Sequence, residues 1–153
     1  MKMCTFDSII GPISLFEEHN CITQILLKSR SVYKDELNQV MRLAKCQIEA
    51  YLEGDSKIFD FPYFVDATEF ERSVLKAMST IPYGKTESYK GLAELSGNDR
   101  AYRAVGSVCR KNKLPILFPC HRVIKSDGAI GEYSGGIAIK KQLLNIEKNY
   151  TID

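Results

Sequence analysis

Cys120 is followed at once by His121 and preceded by the rigid Pro119. A neutral thiol is a poor nucleophile and a thiolate a strong one; an imidazole that takes or shares the proton is the usual means of converting one into the other. Glu147, near the end of the chain, could hold that imidazole in the right tautomer and complete a Cys/His/Glu relay. Neighbouring side chains on a strand point to opposite faces, so direct Cys120–His121 communication needs a turn or a bridging water. The bland alternative is a small buried thiol beside a structural histidine. The other cysteines, Cys4, Cys21, Cys46 and Cys109, bring the total to five, with no CxxC pair. An odd number without that pair argues against a secreted disulfide framework and against a zinc ribbon.

Charge singles out the same half of the chain. Residues 1–65 hold seven Lys/Arg against nine Asp/Glu, and 66–153 hold fourteen against ten. Between Arg100 and Lys125 stand seven cations (Arg100, Arg103, Arg110, Lys111, Lys113, Arg122, Lys125) and no acid. Such a stretch faces a polyanion, or else draws its counter-charges from elsewhere in the fold. The whole chain is 153 residues, 44% hydrophobic and 26% charged, with mean hydropathy -0.18. That composition excludes a disordered chain, and the length suits one ordinary domain or two small ones. No apolar run approaches the ~18 residues of a membrane span. Asp7 falls where a secretory signal would be apolar, so a cytoplasmic protein, or a nuclear one in a eukaryote, is expected.

The elements that must position these groups divide near residue 65. Ile9–Phe16 and Cys21–Leu27 are β-rich runs around polar Glu17–Asn20, a hairpin pattern. Leu37, Met41, Ala44, Ile48, Tyr51 and Leu52 recur at helical spacing until Gly54, predicting one helix over a sheet. The stretch 62–67 is the expected connector. Thr68 and Glu71 form a capping-box pair, predicting a helix to about Thr80. A second helix is expected over Ser88–Ser96, a tight turn at Gly97-Asn98-Asp99, and a third helix over Arg100–Lys111 burying Ala101, Ala104, Val105 and Val108. Helix, glycine turn and basic helix make a helix-turn-helix pattern. Pro115–Pro119 suggests a short strand, Lys125–Gly128 a hairpin turn, and Ile137–Lys148 a last helix with Ile139, Leu143, Leu144 and Ile146 inward. The fold class is therefore α+β, with domains 1–65 and 66–153.

Pro119-Cys120-His121-Arg122-Val123-Ile124 resembles the active-site motif of the O6-alkylguanine-DNA alkyltransferases. So do Ile81–Gly84, Ser88-Tyr89, Leu92-Ala93, Arg103–Gly106, Asn112, Ser126–Gly128, Tyr133–Gly136 and Lys141 through Leu144 to Glu147, in order and spacing. The likeness covers about residues 66–148 and decides against the bland reading of the Cys-His pair. It implies a small ribonuclease-H-like domain followed by a winged helix-turn-helix domain that enters the minor groove of double-stranded DNA, as a monomer, without a cofactor or metal. The target nucleotide must be extruded from the stack. By the same likeness Arg103 intercalates where the base was, and Tyr89 assists the flip and hydrogen-bonds the guanine. Ala101, Ala104, Gly106 and Ser107 let the helix lie close to the groove, alongside Arg110. Tyr102 stands where many relatives carry Ala.

The resemblance further implies that Cys120 attacks the alkyl carbon of O6-alkylguanine, with O4-alkylthymine a further candidate, and keeps the alkyl group irreversibly. His121 and Glu147 generate the thiolate, Tyr89 neutralises the departing base, and Asn112 ties the recognition helix to the Cys120 loop. The backbone carbonyls of Cys120 and Val123 accept from the guanine amine, the Ser134 amide donates to O6, and Tyr133 walls the pocket. Cys109, where relatives often have Met, is expected near that wall. Some relatives bind zinc in the N-terminal unit; Cys4, His19 and Cys21 are suggestive here, but His19 and Cys21 miss the matching positions and a fourth ligand is lacking. Two other classes stand beside the alkyltransferase: a lesion-binding protein without transfer, against which Cys120 speaks, and a helix-turn-helix regulator with Cys120 as a redox sensor.

Overall fold

The computed structural model describes residues 1–29 and 37–151. The chain is a mixed α/β protein of two compact units, Met1–Val65 and Asp66–Asp153. Among the described residues no helix is long and apolar enough to cross a membrane.

In the first unit three antiparallel strands lie in chain order: β1 (Lys2–Phe6), β2 (Ile13–Glu18) and β3 (Cys21–Leu27). The expected hairpin is β2–β3, closed by His19 and Asn20 with φ 52° and 63°. Two left-handed residues suit a two-residue turn whose twist matches that of its strands. The Glu17 carboxylate accepts from the Asn20 N–H at 2.7 Å and holds the turn. Strand β1 was not foreseen, because Met3, Cys4 and Phe6 are too few to show a period; its register against β2 pairs Cys4 with Leu15. Segment 62–64, expected as free connector, instead pairs with Ile22 through two backbone hydrogen bonds.

Helix α1 (Gln39–Leu52) starts at Asn38, whose side chain caps the Met41 N–H. It buries Met41, Ala44, Ile48, Tyr51 and Leu52, while Leu37 stays outside the helix and exposed. Cys4 is buried, His19 is exposed in the turn, and Cys21 opens β3. Among the described residues no group of three or more His, Cys, Asp or Glu side chains could hold a metal ion.

The second unit opens with α2 (Glu69–Met78), whose Thr68/Glu71 capping box is formed in both directions. A two-residue strand β4 (Glu87–Ser88) runs into α3 (Tyr89–Leu95), capped by Ser88. That helix ends in a Schellman turn: Asn98 N–H donates to the Ala93 carbonyl and Gly97 N–H to Glu94. Helix α4 (Tyr102–Arg110) follows, and α2, α3 and α4 pack on one another. Its inner face is Val105, Gly106, Val108 and Cys109. Ala104, expected inside, is exposed, and Ala101 lies outside the helix and half-buried. The buried stripe of α4 runs through 105, 106, 108 and 109, and Ala104 falls at its edge.

Pro115–Phe118 is a tight loop, not a strand: Phe118 N–H donates to the Leu114 carbonyl, and Ile116 has φ 76°. It delivers a 3-10 turn, Cys120–Arg122, and then β5 (Val123–Ile124), which pairs in parallel with β4. The turn at Lys125–Gly128 forms, with Gly128 N–H on the Lys125 carbonyl, but no second strand follows it. The last helix is α5 (Ile137–Asn149), with Ile139, Lys140, Leu143 and Glu147 buried.

Candidate active site

The parallel pairing of Glu87 with Val123 and Ser88 with Ile124 sets the first residue of α3, Tyr89, beside the turn that carries Cys120. That turn removes the obstacle an extended strand would have raised between Cys120 and His121. Two of its N–H groups are satisfied locally, Cys120 on Phe118 and Arg122 on Pro119. Asn112, just past α4, spans the loop: Nδ2 donates to the Phe118 carbonyl at 2.9 Å and to the Cys120 sulfur at 3.3 Å, and Oδ1 accepts from Leu114 N–H at 2.9 Å. Cys120 is 3% exposed.

His121 and Glu147 are both buried, with Nε2 2.5 Å from Oε2. Arg122 forks onto the same carboxylate, Nε to Oε1 at 2.8 Å and Nη2 to Oε2 at 3.0 Å, while Nη1 reaches the Ile81 carbonyl. Gly84 N–H adds a fourth donor at 3.0 Å. Burial pushes Glu147 up, but the His121 and Arg122 hydrogen bonds and charges outweigh it and hold the carboxyl down at about 2. Burial lowers His121 against the pull of Glu147, with Arg122 and Lys140 adding to the fall. The ring is therefore uncharged at neutral pH, with Nε2–H donating to the carboxylate and Nδ1 the basic nitrogen, and its charge acts on Glu147 only in the acid range where that carboxyl titrates.

Burial raises the Cys120 thiol, opposed by the Asn112 hydrogen bond, the Lys140 charge and the Tyr133 phenol. Tyr89 is pushed up to about 12 by burial, with Cys109, Cys120 and Glu132 adding to it. It keeps its proton at neutral pH. Cys109 is also driven to about 12, by burial and by facing Cys120.

Above this buried network lies an open cleft of about 390 Å³ lined by Tyr89, Tyr102, Arg103, Gly106, Arg110, Lys125 and Glu132. A second cleft shares Tyr89, Tyr102 and Lys125 and adds Lys90 and Arg100. Gly131, at φ 77°, brings its backbone against Tyr89: a Cβ there would sit 3.3 Å from the phenol oxygen.

Residues 69–149 match the model of the 6-O-methylguanine DNA methyltransferase DNA-binding domain. A methylated-DNA–protein-cysteine methyltransferase of Methanosarcina acetivorans is 37% identical over 96% of this chain and 98% of its own. The chain belongs to that family. The constitutive enzyme of the same name from Bacillus subtilis is 36% identical over 94% of this chain and 93% of its own. The Mycobacterium tuberculosis OGT structure in complex with DNA superposes with a TM-score of 0.88 at 36% identity, covering 98% of this chain and 94% of that one.

In this family member the expected site residues fall into two sets. Cys120, His121, Glu147 and Asn112 form the buried network; Tyr89, Arg103, Gly106 and Arg110 line the cleft. Val123 follows the turn, and the Tyr133 phenol lowers the Cys120 thiol. Ser134 is exposed, and Ala101, Ala104 and Ser107 lie outside the cleft lining. Two residues went unassigned from sequence. Arg122 belongs by sequence to the run of polyanion-facing cations, yet it is spent on Glu147; partners so far apart in the chain leave no local signal. Lys140 is fully buried, with Nζ on the carbonyls of Val123, Ile130 and Glu132 at 2.7, 2.6 and 3.2 Å. Its signal was legible: it precedes Leu143 by three and Glu147 by seven, on the inner stripe of α5.

Proposed function

We propose that this methyltransferase repairs DNA by moving the alkyl group of O6-alkylguanine onto its own Cys120, once per molecule. In this reading residues 66–153 act as a winged helix-turn-helix DNA-binding and catalytic domain, behind a ribonuclease-H-like unit at 1–65. The monomer approaches the duplex minor groove with α4. Ala101, just before the helix, and Ala104 and Ser107 on it allow close approach, and Arg103 and Arg110 supply charge at the cleft. Arg103 fills the gap left by the extruded base, its planar guanidinium stacking on the neighbours.

The observation that carries the proposal is the hydrogen-bonded thiol of Cys120 next to a neutral His121 locked on Glu147. His121 Nδ1 takes the thiol proton through a water, Glu147 and Arg122 hold the ring, and the Asn112 amide favours the anionic sulfur. The sulfur attacks the alkyl carbon in line; a C–S bond forms, the C–O6 bond breaks, and its electron pair goes to guanine. Tyr89, protonated at neutral pH, donates to the departing base. The carbonyls of Cys120 and Val123 and the Ser134 amide orient the guanine, and Tyr133 closes the wall. A thioether is not hydrolysed under mild conditions, so turnover stops at one.

The test is incubation with a duplex carrying one O6-methylguanine, followed by peptide mass spectrometry. One methyl on Cys120 per protein, with none gained by Cys120→Ser, is the expected result. Methyl found chiefly on Cys109, or repeated turnover, would reject the assignment. A lesion binder without transfer would show affinity and no adduct.

A further inference from the structure

Among the described residues Lys140 is the one fully buried ammonium, and the transfer chemistry makes no use of it. All three of its protons are satisfied by carbonyls at the two ends of one loop: Val123, where the Cys120 turn ends, and Ile130 and Glu132, just before Tyr133. Val123 N–H in turn donates to the Cys120 carbonyl, so the ammonium is anchored within one turn of the nucleophile. Nζ also lies 6.0 Å from the centre of the Tyr89 ring. A charge taken fully out of water is costly unless it is hydrogen-bonded and faces an opposite charge. The carbonyl cradle meets the first requirement. Among the described residues, the acidic groups whose charge bears on Lys140 are Cys120 on the turn and Cys109 on α4, and the Tyr89 ring of α3 lies 6.0 Å off. Glu147 is already engaged by His121 and Arg122.

We infer that Lys140 is a positioning residue of the transfer reaction: its ammonium pins the 123–132 loop to α5 and is the counter-cation of the Cys120 thiolate. This rests on the alkyl-transfer reading only for its purpose, since the pairing itself is a property of the resting protein. Burial lowers Lys140, and Cys120 followed by Cys109 raises it again. Reciprocally, the Lys140 charge lowers Cys120. The other groups on the sulfur are the Asn112 amide, the Cys120 backbone N–H and the Tyr133 phenol; burial lowers His121, and Arg110 bears on Cys109 and Tyr89.

Two measurements test the pairing without DNA or alkylguanine. In the first, the Lys140 side chain is titrated by NMR in lysine-Cε-labelled protein, its signal assigned by its loss in Lys140→Arg, in wild type and in Cys120→Ser. With the titrating sulfur removed, Lys140 is expected to lose its proton about one pH unit lower; superimposable titrations would overturn the inference. In the second, iodoacetamide labelling of Cys120 is followed by peptide mass spectrometry against pH. Lys140→Met is expected to shift the profile up by about one unit, roughly tenfold slower near neutrality and converging at high pH, while Lys140→Arg keeps the wild-type midpoint. A Lys140→Met protein with an unmoved midpoint would make the residue a loop clamp alone and reject the counter-cation. If Lys140→Met does not fold, the Cys120→Ser titration decides. A chain that transfers alkyl groups normally yet shows neither shift would reject this inference and leave the proposed function standing.

Discussion

Glu147 gathers four donors on one carboxylate, and its ionisation is therefore tied to stability. Its pKa of about 2 lies below the unfolded value of 4.5. The unfolded chain takes the proton first as pH falls, so the stabilisation is complete above 4.5 and is lost on the way down to about 2. It amounts to about 3 kcal/mol. His121 acts in the same direction but earlier: its folded pKa is below 6.5, so stability begins to decline as pH drops through that value. Denaturant midpoints of wild type across pH 2 to 8 are expected to fall in these two stages, and Glu147→Gln, about 3 kcal/mol less stable at pH 7, to lack the second. Asn112→Ala removes the side-chain amide on the sulfur. Iodoacetamide labelling of Cys120 at neutral pH is expected to slow by about tenfold, the worth of a hydrogen bond to an anion; an unchanged rate would mean that Asn112 serves the loop and not the thiol.

At the scale of elements, the turn between α3 and α4 is built on a residue that needs the left-handed region. Gly97 has φ 80° and no atom within 4 Å of where a Cβ would stand, so Gly97→Ala carries a purely conformational penalty of about 1 kcal/mol, measurable by thermal unfolding. Such local devices were what the sequence made legible. The Thr68/Glu71 box, the Gly97 turn and the apolar stripe of α1 each announce themselves within a few residues. What stayed hidden depends on distant partners. Pro115–Pro119 has the composition of a strand and becomes a loop because Asn112 bonds across it. Lys2–Phe6 is a strand only because β2 lies beside it. The active residues were recoverable as types and through family likeness, but Arg122 and Lys140 acquire their meaning from a carboxylate and three carbonyls that no local pattern reveals.

For the molecule as a whole, the cations between Arg100 and Lys125 do not act alike. Arg100, Arg103, Arg110, Lys111, Lys113 and Lys125 are exposed, whereas Arg122 is 11% exposed and held by Glu147. DNA affinity is expected to fall linearly on a logarithmic salt axis, with little dependence on sequence. Removing Arg100 or Lys125 should each reduce the slope by about 0.9 if its contact is to phosphate. Arg122→Ala is expected to leave that slope alone and lower the melting temperature instead, a contrast that fluorescence anisotropy and thermal unfolding measure directly.

The two-residue parallel pairing of β4 with β5 also bears on how the molecule is made. The β2–β3 hairpin closes over two residues, while Glu87 and Val123 meet only after α3, α4 and the Asn112 loop have been gathered between them. Closing a long loop is entropically dearer than closing a short one, and parallel pairing is intrinsically slow. Cys120 is thus an ordinary accessible thiol in every partly folded chain and acquires its shielding last. In a refolding experiment, protection of Cys120 from a pulse of thiol reagent is expected to lag behind protection of Cys4, and a chain stalled before that step would be the one most exposed to oxidative damage.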